Sequence, residues 1–331
     1  MREATENVFN KQVYLRLIAL WVVCEAFAGG ILHGFKIPFT GLGVSSLAIL
    51  CIVLIAYYVP HKGAILKATL IVAIFKLMLS PHAAPTAYIA LFFQGFMGQL
   101  LLRRKYFTIG AIILGVIALV ESAIQRILVL VLLYGETFWK AVDAFLKKLF
   151  STNQPGSFSF KLAIIYIIIH AVTGFLVGRY SAMVVRKADN WRSDPVFILP
   201  DGISETITKR KRKVNRMLII TWLIFLFLYL QQFLKNGIFV LPQNSALQIL
   251  LRSFVIILTW ITVVSPLLMI WLRKRLNKQR NKYEKEIIEI MKLLPHVQFI
   301  VKESWIRSKV SGKRNWKLFV KYLLVNILYG K

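Results

Sequence analysis

Eight stretches, Leu15–Gly30, Gly41–Tyr58, Gly63–Leu79, Thr86–Leu102, Phe107–Tyr134, Phe160–Gly178, Met217–Leu234 and Leu247–Leu272, are apolar almost throughout. Several approach or exceed the roughly 20 residues that a helix needs to cross a hydrocarbon core. The remainder of the chain does not dilute them: hydrophobic residues make up 57% of the sequence, and the mean hydropathy is +0.64, both too high for an ordinary soluble domain. The pattern predicts an all-α polytopic membrane protein. Lys67 and Lys76 interrupt the third stretch, which reads either as a span or as a buried or re-entrant helix.

Charge lies mainly between these stretches and orients them. Lys11 and Arg16 flank the first, His61-Lys62 joins the second to the third, and Arg103-Arg104-Lys105 joins the fourth to the fifth. These fall on one side, together with Arg186, Lys187, the run Lys209–Lys213 and Arg273-Lys274-Arg275. The positive-inside rule then places both termini in the cytoplasm of a multi-pass plasma or bacterial inner membrane protein. Glu3 and Glu6 ahead of the first stretch, and the poor cleavage region around Cys24–Ala28, argue against a processed signal peptide. The net charge of +29 is thereby a property of one face, with anionic lipid as its partner. No recognition motif accompanies it, so nucleic acid is not an expected partner.

The expected organisation is a six-helix membrane body over residues 1–182, a basic cytoplasmic connection over 183–216, two further transmembrane helices over 217–272 and a basic amphipathic cytoplasmic tail over 273–331. Asp194-Pro195 and Leu199-Pro200-Asp201-Gly202 favour turns within the connection. Gly135–Ser159 repeats apolar residues at helical spacing, as an amphipathic helix on the outer membrane surface or as a cap on the bundle. In the tail, Tyr283–Leu294 reads as a helix ended by Pro295, and Trp316–Tyr329 as a second, short helix. Both lie either against the membrane or a partner subunit, or on the protein's own core.

Polar residues within the apolar stretches are the candidate site. A charge at bilayer depth costs about 2.5–3.5 kcal/mol on insertion scales, so it faces a partner or a cavity. Glu25, Lys76, Gln94, Glu121, Arg126 and His170 could ring a common zone in the middle or outer half of the bilayer, counting about 1.5 Å per helical residue. Lys76 and Arg126 could neutralise Glu25 and Glu121, with Gln94 or His170 satisfying the remaining donors and acceptors. Glu121 and Arg126 are five residues apart and poorly placed to pair along one helix. The cluster reads either as a solute-binding cavity or as an ion-pair network that pins helices together. Lys67, nearer the cytoplasmic end, can snorkel.

The loop Gly29–Gly41, with its glycines and Pro38, suits a compact outer connection that could act as a gate or simply as a tight turn. Gly95 and Gly98, Gly110 and Gly115, and Gly174-x-x-x-Gly178 suggest close helix packing. Cys24 and Cys51 lie within helices, which speaks against a disulfide framework, and no metal-ligand spacing occurs, so no cofactor is assigned. The sequence contains no Gly-rich loop ending in Gly-Lys-Ser/Thr, no His-Glu-x-x-His and no Gly-x-Ser-x-Gly.

Over residues 10–182 the chain resembles the substrate-binding S-components of energy-coupling-factor transporters. The resemblance rests on size, on the glycine-rich loop Gly29–Gly41, on Ile37-Pro38-Phe39-Thr40 entering the second stretch and on Lys62-Gly63-Ala64 entering the third. It implies binding of a vitamin or metal ion from outside and association with a membrane coupling subunit and two cytosolic ATPases. The two further spans and the basic tail depart from that family. The leading functional expectation is a membrane subunit for binding or uptake of a small polar or anionic solute, without its own ATPase. The alternatives are a non-enzymatic membrane scaffold or accessory subunit of a larger complex, and a lipid-modifying enzyme using Asp194, Asp201 and Glu205.

Overall fold

The computed structural model describes residues 2–25, 40–80, 83–149, 157–191, 216–231, 253–310 and 313–330. Helices α1 (Arg2–Val23), α2 (Thr40–Tyr58), α3 (Ala64–Leu79), α4 (Pro85–Leu101), α5 (Phe107–Leu149) and α6 (Phe158–Asn190) come first. Then follow α7 (Arg216–Gln231), α8 (Ser253–Lys282) with a π-helical segment at Trp260–Val264, α9 (Glu284–Arg307) and α10 (Trp316–Tyr329). A two-residue antiparallel ladder, Lys309–Val310 with Lys313–Arg314, joins the last two.

Among the described residues, four helical stretches are long and apolar enough to cross a membrane: Gly41–Tyr58, Phe107–Leu132, Phe158–Asn190 and Ser253–Lys282. The molecule is an all-α membrane protein, but the expected count of six plus two is not reproduced. The shortfall has a physical origin. α3 and α4 have only 16 and 17 residues, about 24–26 Å of helix at 1.5 Å per residue. α1 carries several charges in its first half, and only part of the seventh and eighth expected spans falls within the described residues.

The chain folds as two compact units, one of Met1–Ser122, His170–Ile207 and Lys274–Lys331, the other of Ala123–Ile169 and Thr208–Arg273. In the first, α1 packs against α2, α3, α9 and α10, and it is buried from Val13 to Val23. α3 and α4 form an antiparallel pair whose register follows from small residues. Gly95 lies against Thr69 and Gly98 against Ile52 of α2 and Ile65 of α3, so that a Cβ on either glycine would collide with its neighbour. Seven residues further along α3, the Lys76 ammonium faces the Tyr88 ring on α4, 5.9 Å from its centroid.

The glycines of α5 and α6 work in the same way, with backbone in place of side chain. A Cβ on Gly115 would strike the carbonyl of Gly174, and one on Gly178 the carbonyl of Ala111. Here the Gly-x-x-x-Gly spacing does bring two helix backbones together. Gly110 likewise meets the carbonyl of Leu101 at the end of α4.

The tail corrects one expectation and packs part of its apolar surface on the protein's own core. α9 does not stop at Leu294 but runs through Pro295 to Arg307. Proline removes one backbone donor from a helix interior, yet the apolar face made by Ile287, Ile290 and Leu294 continues as Val297 and Ile300. All five are buried, and α9 packs on α1, so burial on both sides of the proline offsets its cost. α10 has the expected bounds, started by Asn315, whose Oδ1 accepts from the N–H groups of Lys317 (3.0 Å) and Leu318 (3.3 Å). α10 buries Leu323–Leu328 and packs on α1 and α9. The two tail helices therefore complete the protein's own core.

In the second unit α5 breaks at Gly135, whose φ of 68° and ψ of −173° suit glycine alone. This is where the sequence places the change from span to amphipathic helix. Asp143 beyond the break accepts from Ser157 Oγ at 2.8 Å and from the Ser159 N–H at 2.6 Å, which ties this segment to the start of α6. The Ser159 N–H above all holds the Asp143 carboxyl below the usual range. Phe145 and Leu149 remain exposed. On α7, Trp222 donates to Thr259 Oγ1 of α8 at 3.0 Å, and Phe225 stacks on Phe254 at 4.4 Å between centroids.

Candidate functional site

Of the six candidates, Glu25 and Lys76 meet directly. Lys76 Nζ donates to Glu25 Oε2 at 2.6 Å, and both residues are 7% exposed. Glu25 occupies a π-helical turn, Cys24–Glu25, that continues α1 beyond Val23. A π-turn widens the helix and re-aims the side chains that it carries. In the fully buried Trp21, one turn earlier on the same face, the indole Nε1 has no hydrogen-bond partner among the described residues.

Gln94 is 2% exposed and donates through Nε2 to Ser45 Oγ on α2 at 3.1 Å, while its Oε1 accepts from no group among the described residues. α2 also brings Cys51 to the Glu25 end of α1, where its thiol shares a hydrogen bond with Cys24. Both cysteines are free thiols. The ion pair thus stands beside two thiols, while the Gln94 amide and the Ser45 hydroxyl form a separate buried polar contact between α4 and α2.

The other three candidates differ. Glu121 is half-buried on α5, and its Oε2 is enclosed without a hydrogen-bond partner among the described residues. Arg126 is exposed on α5. His170 is 2% exposed on α6 and has an interaction partner within the protein. Lys67 pairs with Glu286 at 2.6 Å and stands 5.2 Å over the Tyr283 ring, where the sequence suggested a snorkelling side chain.

Two further groupings carry no signal strong enough to single them out in the sequence. Asp189, near the end of α6, accepts from the hydroxyls of Tyr57 (3.1 Å), Tyr58 (3.0 Å) and Tyr329 (3.0 Å), gathering α2, α6 and α10 on one carboxylate. Beside this clasp the Arg16 guanidinium donates to the Gly330 carbonyl. The adjacent tyrosines 57 and 58 at the end of an apolar run are the available sequence signal, but nothing local joins them to residue 189. A cleft of about 660 Å³ with a mixed lining is bordered by Lys11, Tyr14, His61, Lys62, Lys67 and Tyr283 among others. None of the six candidates lines it.

The outer loop read as a gate, as far as Phe39, the acids Asp194, Asp201 and Glu205, and the basic run Lys209–Lys213 lie outside the described residues. Among the described residues no group of three or more His, Cys, Asp or Glu side chains could hold a metal ion.

The fold and this site define the molecule as an all-α membrane protein with a desolvated ion pair in its helical core. No protein-family model matches the chain, and no curated protein or solved structure matches it either.

Proposed function

We propose that this chain is a membrane subunit that binds a small polar or anionic solute and hands it to a transport complex whose ATPase is another polypeptide. The single observation that carries this reading is the Lys76–Glu25 pair: two opposite charges, 2.6 Å apart and almost withdrawn from solvent, at the π-turn that ends the described part of α1. Such a pair is costly to bury and gains little over apolar packing. It is chemically suited to exchange, because an anionic solute can take the place of Glu25 on the ammonium. The free Oε1 of Gln94 and Nε1 of Trp21 offer an acceptor and a donor for the rest of such a molecule.

In this reading α1, α3 and α4 complete the membrane body around α2, α5 and α6, as the resemblance to S-components over residues 10–182 implies. Both termini are cytoplasmic, and a coupling subunit and cytosolic ATPases are the partners. Against the scaffold alternative stands the packing of α9 and α10 on α1, which takes up one apolar face of each, while Ile288, Met291, Ile306 and Trp316 stay exposed.

The experiment is a screen of purified protein against polar and anionic solutes, followed by titration of any hit into the wild type, Lys76→Met and Glu25→Gln. Saturable binding that Lys76→Met abolishes, in a variant that still elutes as the folded species, is the expected result. A broad screen without a hit, or a hit that binds Lys76→Met as well as the wild type, overturns the assignment and leaves the pair a structural tie.

A further inference from the structure

A second cleft, of about 710 Å³, opens between α2, α6 and α10, and its walls are almost wholly apolar. Leu47 and Leu50 line it from α2, Leu176 from α6, and Leu323 and Leu324 from α10. Two features depart from that character. Arg179 and Lys317 border the cleft as exposed cations, and neither has an ion-pair partner among the described residues. Ser181 also lines it; the residue is 1% exposed, and its Oγ meets no hydrogen-bond partner among the described residues.

A buried hydroxyl left without a partner costs free energy of the order of 1–3 kcal/mol, and within an α-helix it ordinarily finds the carbonyl four residues back. Ser181 instead borders an apolar space with two unpaired cations at the margin. The access route is set by the helices. α2 and α6 are both long and apolar enough to cross a membrane, and α6 exposes Val172, Phe175 and Leu176 beside the cleft, so the cleft opens towards hydrocarbon. Arg179 directly follows the apolar stretch Phe160–Gly178, at the level where lipid phosphates lie. Trp316, next to Lys317 and 63% exposed, suits the same interfacial layer.

We infer that this cleft is a binding site for one anionic glycerophospholipid. An acyl chain lies along Leu47 of α2 and Leu176 of α6, and the phosphate sits between Arg179 and Lys317. The lipid closes the gap between α10 and the two spanning helices, so it acts as a structural cofactor of the C-terminal helix. This inference rests on the membrane character of the chain and is independent of the solute-binding reading.

The test is native mass spectrometry of the delipidated full-length protein in a non-ionic detergent, with phosphatidylglycerol and phosphatidylcholine of identical chains added in turn. Glycerol phosphate is a third arm. One tightly held phosphatidylglycerol is expected, with phosphatidylcholine weaker by about tenfold, the scale of one charge-assisted hydrogen bond. Arg179→Gln with Lys317→Gln should erase that preference. Leu50→Trp, which fills the cleft without touching the charges, should remove the adduct for both lipids. Equal retention of the two lipids by the wild type overturns the proposal. So do glycerol phosphate binding as tightly as the whole lipid, a lipid-free dimer as the stable species, and an adduct unchanged in the folded Leu50→Trp variant. The wild-type comparison alone decides the matter should the double variant fail to fold.

Discussion

Lys76 on α3 donates to Glu25 at the end of α1 across 2.6 Å, with side-chain exposures of 9% and 5%. Neither charge has enough contact with water to be solvated by it, so each depends on the other. Removing one partner should cost about 3–5 kcal/mol, whereas removing both with shape retained should cost far less. Lys76→Met and Glu25→Gln are each expected to lower the melting midpoint in detergent markedly, and the double variant to recover most of the loss. A double variant whose loss is the sum of the singles would show that the two groups act separately.

Gly95 allows the second test. A methyl group there strikes the Thr69 side chain, so Gly95→Ala should destabilise the α3–α4 pair by about 1–3 kcal/mol, the usual cost of overpacking. Thr69→Ala removes the obstructing atoms, and the double variant should regain most of the stability. Thermal melts of the four proteins decide it, and Gly95→Ala melting with the wild type would contradict the packing.

Asp189 gathers three phenols, and only Tyr329 comes from α10. Tyr329→Phe deletes the hydrogen bond to Asp189 together with the contact of its hydroxyl with Tyr58, and should cost about 1–3 kcal/mol. The effect should be local: faster amide hydrogen exchange across the last turns of α10, with α2 and α6 unchanged. Acceleration spread over all three helices would instead mean that the carboxylate itself had been displaced.

The Lys67–Glu286 pair gives an acid dependence. Burial tends to raise the Glu286 carboxyl, but the hydrogen bond and charge of Lys67, with a backbone hydrogen bond and the charge of Lys11, outweigh it, and the group is held below its ordinary value of 4.5. A carboxyl lowered by folding adds stability that is complete above the unfolded value and is lost as the pH falls through the folded one. Between pH 7 and about 5 this pair should contribute a constant amount. Below 4.5 its share should fade, and Glu286→Gln should flatten that part of the stability–pH curve. An unchanged acid limb in the variant would remove Glu286 from the account.

Periodicity and charge made much of this legible in the sequence. The change of character at Gly135, the bounds of α10, the glycine faces and the two partners Glu25 and Lys76 could all be read there, because each is written locally, as a breaker, an apolar run, a spacing or a charge out of place. The continuation of α9 past Pro295 could not, since a proline is weighed against local propensity, while the compensation comes from α1 at the other end of the chain. The same limit hid the Tyr329–Asp189 hydrogen bond and the open side of Arg126. Each depends on which helix faces which, and a helical face does not name its partner.

The packing of α9 and α10 on α1 also sets an order of events. α1 is synthesised well before α9 and α10, yet part of the surface that it buries is covered only by those two helices. Until α9 and α10 have been translated that surface must be held by lipid, by an insertase or by neighbouring spans. Pairings this distant in sequence make folding slow and leave it open to interruption. A ribosome stalled before residue 284 should therefore release a chain in which α1 has α2 and α3 but lacks the cover of α9 and α10, so loss of these two helices should be detected by quality control as a defect at α1.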